Sequence, residues 1–333
     1  MPRKTPIAEV RQALLSGSRF LIVSHHNPDG DAIGSSLALA AGLGALGKHC
    51  DVLNADGVPA NLTWLPLAER VHLTPDPGQT YDRVVLLDCG SPERTGFGDE
   101  VFGQGRLVVN IDHHPGNGHF GAANLVDPEA CATAELVYDV LQALPAPVGY
   151  GAATAIYTGI LTDTGCFRFS NTNARAFEIA SLMVAKGVDA AAVSQLVFDQ
   201  QPVARLRLLS RVLETLTLSP RDKAACVVAT RSMMRETQTG AEDVEGFVNY
   251  PRSICGVEVG LLFREEAPGR YRLALRSKGR VDVSLIAREL GGGGHRNASG
   301  ATVEGNLDEL KRRLFERIEE ALDEELLSWR RTG

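Results

Sequence analysis

Phe20-Leu21-Ile22-Val23-Ser24-His25-His26-Asn27-Pro28-Asp29-Gly30-Asp31 is the stretch on which the fold turns. Four apolar residues followed at once by polar and turn-forming ones read as a short buried strand running into a loop. A helix rich in small residues follows over about residues 33–46. Further short apolar runs at 50–53, 83–87 and 106–111 are each bounded by polar or turn-forming residues. Strands of this kind, interleaved with helical stretches, predict an α/β fold: a parallel sheet with helices on both faces.

Residues 130–144, 149–161, 174–186 and 190–198 carry apolar side chains at helical spacing, with Thr172 or Asn173 as the N-cap of the third. Residues 202–216 read as a long connecting helix. After Ser219-Pro220 the pattern becomes strand-like at 225–229, 257–263 and 271–275. A helix over 283–290, a glycine run and an amphipathic helix over 307–328 complete the chain. A length of 333 residues exceeds what one core usually organises. The expected division is a first domain at 1–190, a helical linker at 191–218 and a smaller α/β domain at 219–333.

Apolar content of 44% and charged content of 23% place the chain among globular proteins. A formal net charge of −7 argues against an extended basic surface gripping long nucleic acid, but leaves room for a small anion in a local basic pocket. No run of about 18 uncharged apolar residues and no signal-peptide core is present, so the expectation is a cytoplasmic protein with no membrane association. The six cysteines show no CxxC pairing and read as buried free thiols, with Cys89 and Cys166 close to candidate site residues.

Position distinguishes the acidic and histidine residues more than number. His25, Asp29 and Asp31 follow the first strand, Asp88 ends the strand at 83–87, and Asp112-His113-His114 ends the strand at 106–111. In an open parallel sheet the carboxyl ends of strands line the ligand crevice, so these side chains can converge. Asp163 joins them from a turn after a helix. Singly, each is an ordinary turn or cap residue. Together they make a carboxylate- and imidazole-lined metal site with no thiolate, which favours Mn²⁺, with Mg²⁺ as the alternative, over structural zinc. Two such ions about 3.5–4 Å apart can polarise a phosphoryl group and activate water.

The triplet Asp112-His113-His114, preceded by His25-x-x-x-Asp29-x-Asp31 and followed by Thr162-Asp163-Thr164-Gly165, resembles the DHH phosphoesterase superfamily. Gly291-Gly292-Gly293-Gly294-His295-Arg296-Asn297-Ala298-Ser299-Gly300 resembles its DHHA1 substrate domain. The resemblance implies one metal held by His25, Asp29 and Asp88 and another by Asp31, His113 and Asp163, with Asp88 bridging. It implies that Asp112 orients a metal-binding histidine and that His114 meets the scissile phosphate or protonates the leaving oxygen. Buried packing is the competing reading for Asp112.

Alone, a four-glycine run reads as a flexible loop. Coupled to His295 and the basic stretch Arg276-Ser277-Lys278-Gly279-Arg280, it reads as an anion cradle in which the N–H groups of Gly292, Gly293 and Gly294 approach a phosphate, aided by a helix beginning near His295. Arg276 is the foremost phosphate contact, because a guanidinium forks onto phosphate oxygens. Lys278, Arg280 and Arg252 are weaker candidates, and Arg168 is a further candidate at the metal crevice.

Within the superfamily the likeness is to the short bacterial oligoribonuclease/pAp-phosphatases. It implies metal-dependent hydrolysis of very short RNA or DNA oligonucleotides, of 3′-phosphoadenosine-5′-phosphate (pAp) or of linear pApA, with homodimerisation borrowed from the family. A chain only 6% aromatic lacks a stacking track for long polymers. The alternatives are an inorganic pyrophosphatase or exopolyphosphatase, against which the Gly291–Gly300 stretch argues, and a non-catalytic nucleotide-binding protein.

Overall fold

The computed structural model describes residues 4–332 apart from 77, 104, 105 and 146; for residues 4, 5, 99, 100, 295 and 325–332 the backbone alone is described. The chain divides into two compact units, Met1–Gln200 and Gln201–Gly333. The first runs α1 (Lys4–Ser16), β1 (Arg19–Val23), α2 (Gly30–Ala45), β2 (His49–Leu53), β3 (Val71–His72), β4 (Arg83–Leu87), α3 (Asp99–Phe102), β5 (Leu107–Asp112) and β6 (Ala123–Val126). It continues with α4 (Thr133–Ala143), α5 (Tyr150–Asp163), α6 (Ala174–Ala185) and α7 (Ala190–Phe198).

Its sheet has the order β3-β2-β1-β4-β5-β6, and every pairing is parallel. The direction of winding reverses between β1 and β4, which opens a crevice at the carboxyl ends of those two strands. Alternation sorts the side chains. Phe20, Ile22, Val85, Leu87, Val109 and Ile111 join Leu14, Leu37, Leu141 and Ile156 in the main core, while Leu21, Val23, Leu53, Val84 and Leu86 face Tyr81 and Val101. Strands buried on both faces are largely apolar, which is why they read as near-continuous runs, with Asn110 of β5 a hydrogen-bonded exception.

α2 begins at Gly30 rather than at 33, because the Asp29 side chain caps it, accepting from the N–H groups of Asp31 and Ala32 at 3.0 Å each. The N-cap of α6 is Asn173, which accepts from the Ala176 N–H at 2.8 Å. α5 passes close beside α2 and α4 at Gly159, where a Cβ would lie 2.7 Å from Ala134 Cβ and 2.8 Å from Asp31 Oδ1.

The second unit runs α8 (Val203–Leu213), β7 (Thr217–Leu218), β8 (Ala224–Ala229), α9 (Arg231–Thr237), α10 (Asn249–Ser253), β9 (Val259–Ala267) and β10 (Arg270–Ser277). Then come α11 (Val283–Glu289), β11 (Gly293–His295), β12 (Ala298–Glu304) and α12 (Leu307–Thr332). Its sheet has the order β11-β12-β10-β9-β8-β7, with β8 and β9 parallel and the other pairs antiparallel. One core includes Val283, Ile286, Leu314, Phe315 and Ile318 of α11 and α12, and another includes Leu208 and Val212 of α8 with Phe247 and Val248.

The segment expected to be a linker, 191–218, is packed and divided. Val193 and Val197 of α7 are buried in the first unit's core, and Leu208, Leu209 and Val212 of α8 in the second's. A free linker would leave these side chains in water, so the division falls at Gln200 instead. All six cysteines are free, but only Cys89, Cys131 and Cys226 are buried; Cys50 and Cys166 are half-buried and Cys255 is exposed. Among the described residues, no helix is long and apolar enough to cross a membrane.

Candidate metal centre

Three strand ends and two helix ends deliver the donors to the crevice, Asp29 and Asp31 standing at the start of α2. His25 lies two residues beyond β1, Asp88 directly follows β4, Asp112 ends β5 with His113 and His114 next, and Asp163 is the last residue of α5 rather than part of a turn beyond it. Asp88 sits at φ 54°, a left-handed conformation that aspartate tolerates better than most residues. Ligand atoms lie within 4.8 Å of one another in three groups: His25, Asp29 and Asp88; Asp31, His113 and Asp163; and Asp88, His113 and His114.

Asp88 is the hub. Its carboxylate lies 3.4 Å from His25 Nε2, 3.5 Å from His113 Nε2 and 3.5 Å from His114 Nδ1. His113 Nε2 is 3.8 Å from Asp163 Oδ2. The other ring nitrogens are committed elsewhere. His25 Nδ1 bonds the His26 carbonyl at 2.8 Å, and His113 Nδ1 bonds the Ala130 carbonyl at 3.2 Å. An imidazole anchored in this way presents its Nε2 as a lone-pair donor. Asp112 orients His114, not His113: its Oδ1 accepts from His114 Nδ1 at 2.7 Å.

Burial and crowding set the electrostatics. Asp31 is 0% exposed and Asp88 2%. Burial, then the charges of Asp88 and Asp163, hold the Asp31 carboxyl well above the usual range. Burial pushes Asp163 up to about 7 against the opposing charge of His113, with Asp29 and Asp88 adding to the rise. Burial would raise Asp88 too, but the His25 hydrogen bond and the charges of His114, His25 and His113 outweigh it and hold the group far below the carboxylate range. Burial would lower both His25 and His113. Asp88 overrides it at His25, and Asp163, Asp88 and Asp31 override it at His113, so each is pushed up to about 9.

No lysine or arginine forms an ion pair with these carboxylates among the described residues. A buried cluster in which burial and neighbouring carboxylates raise Asp31 and Asp163 while imidazoles hold Asp88 ionised, with no lysine or arginine paired to it among the described residues, fits divalent cations coordinated by oxygen and nitrogen.

Three supporting residues escaped sequence reading. Thr133 opens α4 at the crevice: its N–H and that of Ala134 donate to the two oxygens of Asp31 at 2.6 and 2.9 Å, and its hydroxyl donates to Asp88 at 3.0 Å. The positive end of α4 therefore steadies a buried carboxylate. Asn117 Nδ2 donates to Asp112 Oδ2 at 2.6 Å, while its own Oδ1 accepts from Asn110 Nδ2 at 2.8 Å. Asn171 Nδ2 donates to Asp163 Oδ2 at 3.0 Å. The asparagines recurring around the histidine-aspartate triplet, Asn110, Asn117 and Asn124, are the one signal that could have exposed Asn117; Asn171, half-buried beside Asp163, carries none.

The remaining candidates belong to both units. Arg168 is exposed, and its Nε donates to the Gly165 carbonyl at 2.8 Å. In the second unit, Arg276 lies half-buried in β10. Its Nη1 donates to the Leu275 carbonyl at 3.0 Å, and it has no carboxylate within ion-pair distance among the described residues. Burial lowers its pKa, Glu245 opposes and Arg252 reinforces the shift, but a guanidinium stays charged regardless. Lys278 Nζ donates to the Ile254 carbonyl at 2.9 Å, and the Arg280 N–H to Glu258 at 2.8 Å.

The glycine run differs from expectation. No helix begins near His295. Gly291, at φ 74°, closes α11 instead, and Gly293–His295 form edge strand β11 against β12. Gly-rich backbone pairs readily as a strand when a close neighbour forbids side chains: a Cβ on Gly292 would lie 2.1 Å from the Gly300 carbonyl oxygen, and one on Gly294 2.5 Å from that of Ala298. Gly293 meets nothing within 4 Å. The His295 side chain lies outside the described residues.

Residues 19–160 match the DHH family N-terminal domain, and residues 224–324 match the DHHA1 domain. The bifunctional oligoribonuclease and PAP phosphatase NrnA of Thermus thermophilus is 38% identical over 325 residues, covering 96% of this chain and 93% of that protein. A probable bifunctional oligoribonuclease and PAP phosphatase NrnA from Streptococcus mutans is 29% identical, covering 90% of this chain and 92% of its own. The crystal structure of an exopolyphosphatase-related protein from Bacteroides fragilis superposes with a TM-score of 0.87 at 30% identity over 97% of both chains. With its donor groups at the strand ends and a relative matched along nearly its whole length, this chain belongs to the DHH family of phosphoesterases that carry a DHHA1 domain.

Proposed function

We propose that this protein is a metal-dependent hydrolase that cleaves the phosphodiester of very short oligonucleotides and removes a phosphate from pAp. The observation that carries the reading is the pair of donor groups, His25-Asp29-Asp88 and Asp31-His113-Asp163, packed around one buried hub in a chain similar along its length to oligoribonuclease/PAP phosphatases. His25, Asp29 and Asp88 hold one divalent ion and Asp31, His113 and Asp163 the other, with Asp88 shared. Mn²⁺ suits this mixture of oxygen and imidazole donors. Bound ions of this kind supply Lewis-acid polarisation of a phosphoryl oxygen and a lowered pKa for water.

The chain's own groups supply the rest. Asp112, itself held by Asn117, fixes the proton of His114 on Nδ1 beside Asp88, and the imidazole so oriented carries a proton to or from the substrate oxygens. Burial would raise the Asp112 carboxyl, but the His114 hydrogen bond and charge and the Asn117 hydrogen bond hold it below the usual range, so it remains an anion able to support a protonated imidazole. Arg276, with no carboxylate to neutralise it among the described residues, binds a substrate phosphate. Gly293, open on its outer side, lets that phosphate approach the backbone of β11. The DHHA1 match to this unit supports both assignments.

Product analysis with Mn²⁺ tests the reading, offering a labelled RNA dinucleotide, a long RNA, pAp and pyrophosphate in parallel. Turnover of the dinucleotide and pAp ahead of the long RNA is the expected result. Hydrolysis of pyrophosphate alone would move the protein to inorganic substrates and overturn it.

A further inference from the structure

Immediately after Asp163 the chain makes a turn that an ordinary loop would avoid. Gly165, Cys166 and Phe167 are all left-handed, at φ 55°, 61° and 59°. Cys166 and Phe167 carry Cβ atoms that disfavour this conformation, so the surrounding structure must hold them there. It does so through several contacts. The N–H groups of Arg168 and Phe169 both donate to the Thr164 carbonyl at 3.0 Å, and the Phe169 ring fills the space where a Cβ on Gly165 would stand. Asn171, further along the loop, returns to Asp163.

The consequence of the turn is a stacked aromatic pair. Phe167 lies against Phe177 of α6 with ring centroids 4.9 Å apart and planes inclined by only 21°. Phe167 packs partly against the core, yet Phe177 remains 55% exposed. A large aromatic side chain on an exposed helical turn contributes little to folding from its outer face. Arg168, between the strained residues and α6, is exposed with no carboxylate partner among the described residues. A flat apolar ring stacked on Phe167, whose chain neighbour is an exposed arginine with no carboxylate partner among the described residues, a few residues along the chain from a candidate metal ligand, matches the chemistry of a nucleoside phosphate: the base stacks and the phosphate meets the guanidinium.

We propose that the Phe167–Phe177 pair is a stacking platform for a nucleobase of the substrate, with Phe177 offering its outer face and Arg168 the adjoining charge. This rests on the nucleotide reading of the metal centre and deepens it, since it makes base recognition a property of the first unit. Ring stacking carries no hydrogen-bond code, so the platform accepts any base, as an enzyme clearing fragments of mixed sequence requires.

Equilibrium binding tests this without any need for turnover. Adenosine 5′-monophosphate and ribose 5-phosphate share sugar and phosphate and differ only in the base. In the presence of Mn²⁺ the full-length protein is expected to bind the former more tightly. Phe177→Ala should weaken binding of adenosine 5′-monophosphate roughly tenfold while leaving ribose 5-phosphate unaffected, and Phe177→Trp should restore it. The KM for a dinucleotide should rise with the same substitution. An unchanged affinity for adenosine 5′-monophosphate, or an equal loss for both ligands, would overturn the platform. So would a changed sedimentation coefficient with unaltered nucleotide affinity, which would make the pair a contact between copies of the chain. A protein that binds the base through Phe177 yet hydrolyses no nucleotide would keep the platform and sink the hydrolase reading.

Discussion

Asp88 concentrates the chemistry of the first unit in one side chain, because His25, His113 and His114 all approach its two oxygens within 3.5 Å. Asp88→Asn keeps the volume and removes the charge. We expect kcat to fall on the order of a thousandfold or more, about 4 kcal/mol of transition-state stabilisation. Steady-state kinetics at saturating Mn²⁺ checks this, and a rate within tenfold of wild type would exclude a ligand shared by two ions. Asn117 acts at one remove. It donates to the Asp112 oxygen that His114 does not use. Asn117→Ala should lower kcat roughly 10- to 100-fold, as loss of an orienting partner does. Asn117→Asp is the sharper probe: it fills the same space but sets a carboxylate against Asp112, so it should be at least as impaired as the alanine variant. Wild-type kinetics from the aspartate variant would reduce Asn117 to a space-filler.

Among the elements, β11 shows what glycine does in the second unit. Gly294 has φ 140°, which no L side chain adopts comfortably, and a Cβ there would press on Ala298 and Ser299. Gly294→Ala should therefore cost about 1–3 kcal/mol from backbone strain alone, before any steric clash. Gly293→Ala should leave stability within about 0.5 kcal/mol, since nothing stands within 4 Å of the added methyl. If β11 receives a phosphate, Gly293→Ala nonetheless raises KM several-fold. Thermal melts with kinetics on both variants separate the effects, and an unchanged KM for Gly293→Ala would remove β11 from the substrate site. The same strand marks where sequence reading stopped. β1, β4 and β5 were legible because burial on both faces makes them largely apolar runs with Asp or His at or just beyond their ends. β11 and the first half of β12 are mostly glycine, alanine and serine, whose pairing comes from close backbone approach rather than from a marked apolar pattern. Thr133 was hidden for a related reason: it meets Asp31 from 102 residues away, a tertiary contact that no local periodicity encodes.

Across the whole molecule, each unit has its own sheet and its own buried cores, and all the candidate metal donors belong to the first. Ions that bind the folded donor cluster and not the unfolded chain stabilise the unit that carries it, by about 2.7 kcal/mol at a hundredfold excess over Kd. For a unit of this size the matching rise in melting temperature is roughly 5–10 °C. Calorimetry should accordingly resolve two transitions, with Mn²⁺ raising one and EDTA reversing the rise. The other transition should stay in place, because Arg276 and β11 bring no acidic donor group to the second unit's candidate site. Asp88→Asn should shrink the Mn²⁺-dependent shift, whereas Gly294→Ala should lower the metal-insensitive transition and spare the other. This crossed pattern identifies the transitions without dissecting the chain. A single transition, or equal displacement of both by Mn²⁺, would show that the metal's free energy is not confined to the unit that holds Asp31, Asp88 and Asp163.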